Sequence, residues 1–92
     1  MPATPLPDLV LYGRPGCHLC ADARDILMAL LGERIRAGLE APVLVERNIE
    51  TDPAWQRAYF ETIPVVELGD RRIELAITAG RLRRLLSDVL DA

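Results

Sequence analysis

Two cysteines separated by two residues are the side chains of this 92-residue chain best suited to chemistry. They form the segment Cys17-His18-Leu19-Cys20, and the sequence contains no other cysteine. A thiolate at a helix N-terminus is stabilised by unpaired backbone N–H groups and by the helix dipole, which lowers the pKa of the thiol. We therefore predict that Cys17 is a nucleophile. Cys20, about one helical turn later, would resolve the mixed disulfide that forms on Cys17.

Two side chains that can carry positive charge flank the first cysteine in sequence. Arg14 precedes Cys17 by three residues and His18 follows it directly, and nearby positive charge favours a thiolate over a thiol. His18 lies between the two cysteines and needs no acid or base partner there. We therefore interpret it as a solvated spacer rather than a general base.

A cysteine pair can also serve as metal ligands or as part of an inert core. A zinc ion needs four ligands, and this chain offers only two cysteines and the single His18 between them, so we predict no metal site. Two inert, buried cysteines remain an alternative, as does an iron–sulfur cluster bridging two copies of the chain. The Pro-Gly loop before Cys17 favours redox use of the pair.

The second segment of interest is Thr62-Ile63-Pro64, about 45 residues further along. A proline at the first position of a strand is tolerated because its missing N–H costs nothing there. The bond before a proline is also the one place where a cis peptide is cheap, although the trans form is more common. Local sequence alone therefore leaves an ordinary trans proline as the simpler interpretation.

The elements that must position both segments alternate between strand and helix. Short apolar runs bounded by Gly, Pro or Asn predict strands, and apolar residues recurring every three or four positions predict helices. The predicted strands cover residues 8–12, 43–45, 64–68 and 71–75. The predicted helices cover residues 17–37, 53–59 and 79–90, the last two capped by Thr51 or Asp52 and by Thr78. This order predicts an α/β fold with a four-stranded mixed sheet and helices on both faces.

The first predicted helix is the longest, and its apolar stripe is expected to face the core. The stripe consists of Leu19, Ala23, Ile26, Leu27, Leu30 and Leu31, and it is continued by Ile35 and Leu39. Gly38 and Pro42 are expected to stop the helix.

Composition limits the class of protein further. Half of the residues are apolar, 27% are charged and the net charge is −3, which fits one folded domain over residues 8–92 after a flexible, proline-rich lead-in over residues 1–7. The eleven basic residues are spread among fourteen acidic ones, so we expect no nucleic-acid partner. No apolar run is long enough for a membrane span, and the first residues do not resemble a secretory signal. We therefore expect a cytoplasmic monomer without a membrane partner.

These two segments together resemble the glutaredoxin family of the thioredoxin fold, especially its small bacterial glutaredoxin-like proteins. The resemblance rests on the residues Leu11 to Cys20 and on Thr62-Ile63-Pro64-Val65, and it covers about residues 8–90. It implies a thioredoxin-like fold of the glutaredoxin βαβαββα type. It also implies that Cys17 is the nucleophile, that Cys20 is the resolving cysteine and that Pro64 follows a cis peptide bond.

The resemblance also implies a substrate-binding surface made by Arg14, His18, Leu19, Thr62, Ile63 and Pro64. Arg14 stands where glutaredoxins usually place a lysine that contacts a glutathione carboxylate, and Ile63 would offer its backbone to the bound thiol peptide. No resident cofactor is implied, and glutathione or a flavoenzyme would act as reductant. The expected partner is therefore a disulfide-containing protein or glutathione.

Two departures from the family pattern bear on the substrate. Glutaredoxins usually carry an acidic pair at the start of the last helix, where this chain has Thr78-Ala79-Gly80-Arg81. An arginine there would repel the glutathione ammonium group, which disfavours glutathione specificity. Leu19 replaces an aromatic residue and favours a protein partner. The sequence therefore fits two functions: a dithiol–disulfide oxidoreductase, and a non-catalytic binding module for a partner protein or a metal.

Overall fold

The computed structural model describes residues 5–91 of the chain. Residues 1–4, which form most of the predicted lead-in, and residue 92 lie outside that range. The elements in chain order are β1 (Leu9–Gly13), α1 (His18–Arg36), β2 (Leu44–Asn48), α2 (Pro53–Tyr59), β3 (Val65–Leu68), β4 (Arg71–Ile73) and α3 (Ala79–Leu90). A single turn of 3-10 helix over Ile49–Thr51, which the sequence did not predict, precedes α2.

The four strands form one mixed sheet in the order β2-β1-β3-β4. β1 and β2 run parallel with Leu9 opposite Leu44, and β3 pairs antiparallel with both β1 and β4. The helix α1 connects the parallel strands β1 and β2, and a tight turn connects the antiparallel strands β3 and β4, as each geometry requires. The predicted α/β architecture of a four-stranded mixed sheet with three helices is confirmed.

Alternate residues of the central strands point to opposite faces of the sheet and build two apolar clusters. The larger cluster joins α1 and α3 to one face and includes Leu9, Leu11, Val66 and Leu68 from the strands. The smaller cluster lies on the α2 side and includes Tyr12 and Val65. The two faces of the sheet therefore carry apolar clusters of different size, and the smaller cluster contains the cysteines.

The first helix ends where the sequence predicted, but its buried face is shorter than predicted. Gly38 has a φ of 73° and follows the Ala37 C-cap, which is the left-handed position where a helix commonly ends in glycine. Leu19, Ile35 and Leu39 were expected on the buried stripe, and all three are exposed. The next position on the buried face is instead occupied by Arg34.

Arg34 is buried because several polar partners satisfy its guanidinium group. It donates to both carboxylate oxygens of Asp91, at 2.6 and 3.1 Å, and to the backbone carbonyl of Glu40. The Arg34 hydrogen bonds lower the pKa of the Asp91 carboxyl below its usual 3.8. This pair connects the end of α1 to the end of α3.

Replacing Asp91 by asparagine is expected to lower the free energy of unfolding at neutral pH and to change its dependence on pH below about 4. The carboxyl pKa is lower in the folded chain than in the unfolded chain, so the pair contributes stability above the unfolded pKa of about 3.8. That contribution disappears as pH falls through the lower folded pKa. Urea unfolding midpoints measured from pH 7 to pH 2.5 should show a gap between wild type and Asp91→Asn that closes below about pH 3.8. A gap that stays constant over this range would contradict the assignment.

The predicted second and fourth strands differ from the observed ones in their limits. β2 begins at Leu44 and extends to Asn48, and β4 ends at Ile73 rather than Leu75. The backbone N–H groups of Leu75 and Ala76 leave the sheet and donate to Thr62 and Pro64 carbonyls, at 2.9 and 2.8 Å. The segment after β4 is therefore held against the Thr62–Pro64 segment instead of continuing the ladder.

The helix caps follow the sequence predictions. Asp52 accepts a hydrogen bond from Ala54 N–H at 2.8 Å at the start of α2, and Thr78 accepts one from Arg81 N–H at 3.4 Å at the start of α3. Within residues 5–91, no helix is long and apolar enough to cross a membrane.

Candidate active site

A tight turn links the end of β1 to the first cysteine. Cys17 N–H donates to the Arg14 carbonyl at 3.3 Å, so residues 14–17 form a β-turn. Pro15 and Gly16 occupy its two central positions, and Gly16 has a φ of 77°. This is the type II pattern, in which proline presets the first central residue and glycine accepts the positive φ of the second. The turn delivers Cys17 to the N-terminus of α1.

The two cysteines form a disulfide-bonded pair at the beginning of α1. Their Cα atoms are 5.2 Å apart and their Sγ atoms are joined in a disulfide. Cys17 is the N-cap of the helix, and its Sγ accepts a hydrogen bond from Cys20 N–H at 3.1 Å. Cys17 is half-buried, whereas Cys20 is buried. The more accessible sulfur is therefore the one that the helix N-terminus can stabilise as an anion.

Aromatic and aliphatic side chains on the α2 side of the sheet pack against the cysteine pair. Both cysteines pack in the smaller apolar cluster with Tyr12, Tyr59 and Ile63. The Tyr12 ring lies 4.7 Å from the Tyr59 ring, centroid to centroid. Burial, and then the negative charge of Glu67, raise the pKa of the Tyr12 hydroxyl, so this phenol stays neutral beside the cysteines. The disulfide therefore packs on its buried side against apolar and aromatic side chains.

The Thr62–Pro64 segment lies beside the same cluster. The Ile63 side chain is buried in the cluster that contains the cysteines, and the Ile63–Pro64 peptide bond is cis. Thr62 N–H and Ile63 N–H both donate to the Tyr59 carbonyl, at 2.9 and 3.1 Å. The Ile63 amide is therefore directed back toward α2 in this structure. The fold brings the two predicted segments together around one cluster.

The remaining predicted binding residues lie on the surface around Cys17. Arg14, His18 and Leu19 are all exposed, and Leu19 presents 44% of its surface to solvent. Their exposure leaves an apolar and a cationic group next to the half-buried sulfur. Among residues 5–91, no three His, Cys, Asp or Glu side chains come together as metal ligands.

Gly13, the last residue of β1, approaches Cys20 so closely that no larger residue fits without movement. A Cβ atom built on Gly13 would lie 3.0 Å from both Cβ and Sγ of Cys20, which is tighter than ordinary van der Waals contact. A side chain at position 13 therefore fits only if Cys20 shifts by a few tenths of an ångström. The contact places Cys20 Sγ directly against the end of β1.

Replacing Gly13 by alanine is expected to destabilise the chain by about 1–3 kcal/mol, the usual cost of overpacking. It should also shift the glutathione ratio at which the cysteine pair is half oxidised, because Cys20 must move. Gly80 on α3 is the matched control, since a Cβ there meets no atom within 4 Å and Gly80→Ala should add about 0.5–1 kcal/mol of stability. Equal urea midpoints for Gly13→Ala and wild type would contradict the close packing.

A CxxC pair at the N-terminus of the first helix, beside a mixed four-stranded sheet, defines a thioredoxin-like protein. The family model described as "Glutaredoxin-like domain (DUF836)" matches residues 8–87. The chain therefore belongs to this glutaredoxin-like family, as the resemblance predicted. Among curated proteins, no sequence matches the chain.

Solved structures agree with this assignment. The crystal structure of target protein XcR50 from X. campestris is 31% identical, covers 87% of this chain and 96% of its own, and superposes with a TM-score of 0.69. Its solution structure is 33% identical over 88% and 94% of the two chains, with a TM-score of 0.64. Protein Ne2328 from Nitrosomonas europaea is 22% identical over 99% and 94%, and its TM-score of 0.60 shows the same fold.

Two features of the site were not identified from the sequence. The contact between Gly13 and Cys20 depends on the spacing of β1 and α1, for which local sequence gives no signal. A groove beside the disulfide is partly lined by Arg24 and Arg47, which are distant in sequence and meet only after β2 pairs with β1.

Proposed function

We propose that this protein is a dithiol–disulfide oxidoreductase that reduces disulfides in other proteins. The observation that supports the proposal most strongly is the position of Cys17 Sγ, which caps α1 and accepts the Cys20 N–H at 3.1 Å. A thiolate at this position is stabilised before any substrate arrives. Cys20 lies within bonding distance of it and is shielded from solvent.

The reaction begins with the reduced pair. The Cys17 thiolate attacks one sulfur of a substrate disulfide, the substrate S–S bond breaks, and the departing substrate thiolate takes up a proton. Cys20, after losing its proton, attacks Cys17 Sγ in the mixed disulfide and releases the second substrate thiol. The substrate gains two electrons and two protons, and the Cys17–Cys20 disulfide forms. Two glutathione molecules, or a dithiol flavoenzyme, then reduce the Cys17–Cys20 disulfide again.

The surface around Cys17 fits a protein substrate better than a small thiol. Leu19 offers exposed apolar surface beside the nucleophile. In this proposal Thr62, Ile63 and Pro64 also belong to the substrate-binding segment, with the half-buried Thr62 as its accessible side chain, since Ile63 and Pro64 are buried. Arg14 would contact a substrate carboxylate, and His18 would lie at the solvent edge. No resident cofactor takes part in this cycle.

Glutathione acts in this proposal as a reductant and not as the preferred substrate. The guanidinium group of Arg81 lies at the start of α3, where it donates to the Leu75 and Glu74 carbonyls at 3.2 and 3.4 Å. A cation at this position repels the ammonium group of glutathione. We place the activity in the cytoplasm, where thiols are kept reduced, and assign it to a monomer.

The pH dependence of alkylation at Cys17 tests this proposal. In the reduced Cys20→Ser variant, iodoacetamide should modify Cys17 at a lower pH than it modifies an ordinary exposed cysteine, because the helix N-terminus lowers the thiol pKa. Peptide mass mapping identifies the modified residue, and the same titration in 6 M guanidinium chloride is the control. If Cys17 titrates alike in the folded and unfolded chain, the binding-module function replaces the enzymatic one.

A further inference from the structure

A groove of about 440 Å³ runs beside the disulfide, on the side of the cysteines where β2 ends. It is lined by the end of β1, by the turn at Arg14, by the first turns of α1 with Arg24 and by the end of β2 with Arg47. Its volume lies within the range of pockets that hold a ligand much larger than a single ion. Both cysteines also line it, so an occupant of the groove would lie next to the reacting sulfurs.

The groove carries more positive than negative charge. Three arginines, Arg14, Arg24 and Arg47, are among its lining residues, together with one acidic residue, Glu46. Among residues 5–91, no carboxylate lies within ion-pair distance of Arg14 or Arg47. Arg24 lies 4.0 Å from Glu46 and 3.8 Å from Asp25, both at the outer limit of an ion pair. Such exposed contacts satisfy little of its charge.

The guanidinium group of Arg47 contacts an aromatic ring of α2. Its guanidinium carbon lies 5.9 Å from the centroid of the Trp55 ring, within the range of a cation–π contact. This contact orients the guanidinium group without neutralising it. The hydrogen-bond donors of Arg47 remain available to carboxylate oxygens, which guanidinium groups bind in paired geometry.

We propose that this groove binds an acidic segment of the substrate protein, next to the disulfide that is reduced. This inference rests on the proposed oxidoreductase function and names its substrate class. The whole chain carries a net charge of −3, so its long-range field favours a basic partner. A preference for acidic substrates would therefore have to come from the local charge of the groove.

Three synthetic peptides with the same intramolecular disulfide and different tails test the proposal. The tails are three glutamates, three serines or three lysines, and kcat/KM is measured with each at 20 mM and 500 mM NaCl. Wild type should reduce the glutamate peptide about tenfold more efficiently than the lysine peptide at low salt. The ratio should approach one at high salt because surface charges are then screened.

Two double variants separate the groove from overall charge. Arg24→Gln with Arg47→Gln should reduce the glutamate-to-lysine ratio at least about fivefold through KM. Arg36→Gln with Arg84→Gln changes the net charge equally at residues that do not line the groove, and should keep the ratio of wild type.

The outcomes distinguish the two proposals. If wild type reduces the serine peptide but prefers neither charged one, or prefers the lysine peptide, the groove proposal is overturned and the oxidoreductase function stands. The same holds if both double variants lower the ratio equally. If wild type reduces none of the peptides faster than Cys17→Ser does, the oxidoreductase function itself fails.

Discussion

Replacing Cys17 by serine is expected to lower the rate of disulfide reduction about a thousandfold or more, because the variant lacks the nucleophile that forms the covalent intermediate. A serine hydroxyl cannot supply an equivalent anion near neutral pH. The assay follows reduction of a peptide disulfide with glutathione as final reductant.

Cys20→Ser is the matched variant and should behave differently. It retains the nucleophile and therefore still attacks the substrate, but it cannot resolve the mixed disulfide from within the chain. Mass spectrometry after acid quenching should show substrate attached to Cys17 in this variant and none attached in Cys17→Ser. Accumulation of substrate on Cys20 instead would reverse the assignment of roles.

The largest expected effect on stability follows replacement of Leu27 by alanine. Leu27 lies on α1 and is fully buried in the cluster that α1 and α3 form with the sheet. Truncating such a leucine leaves a cavity that costs about 2–5 kcal/mol. Domains of this kind are stable by only about 5–15 kcal/mol in total. The urea midpoint should therefore fall strongly, with little change in the slope of the transition.

Met28 provides the control for Leu27 because it is the next residue on the same helix and is 57% exposed. Met28→Ala should change the free energy of unfolding by no more than about 0.5 kcal/mol, so the contrast isolates burial from helix propensity. Similar midpoints for the two variants would contradict the orientation of α1.

The sequence predicted the fold well because its signals were local and agreed with one another. Three and four residue spacing in α1, the Asp52 and Thr78 caps, and the glycine at position 38 each indicated the boundary that the structure has. The strand pattern was equally clear in β1, where alternate side chains enter different clusters.

The errors came from long-range contacts. Ile35 continued the apolar spacing of α1 and was expected to be buried, but Arg34 takes the buried position because Asp91 and the Glu40 carbonyl satisfy it. Leu75 was assigned to β4, but its N–H donates to Thr62 instead of to a strand. Asp91 lies far from Arg34 in sequence and Thr62 lies far from Leu75, so spacing alone could not reveal these contacts.

The candidate site was predicted only in part for the same reason. The Pro-Gly loop and the cysteines at the start of α1 are local features and were predicted from the sequence, whereas the type II turn within that loop was identified only from the structure. The arginine-lined groove depends on β1 and β2 pairing in parallel, which places Leu11 opposite Glu46 and thereby brings the end of β2 beside the cysteines. Pairing register of this kind is not encoded in any single segment.

The redox equilibrium of the Cys17–Cys20 pair shows whether these cysteines cycle between dithiol and disulfide under cellular conditions. The chain is equilibrated with a series of reduced and oxidised glutathione mixtures, quenched by alkylation, and analysed by mass spectrometry. We predict a transition between dithiol and disulfide near the cytosolic poise of about −220 to −260 mV, through an intermediate with glutathione on Cys17. A pair that stays reduced in every mixture, or glutathione found only on Cys20, would contradict the account.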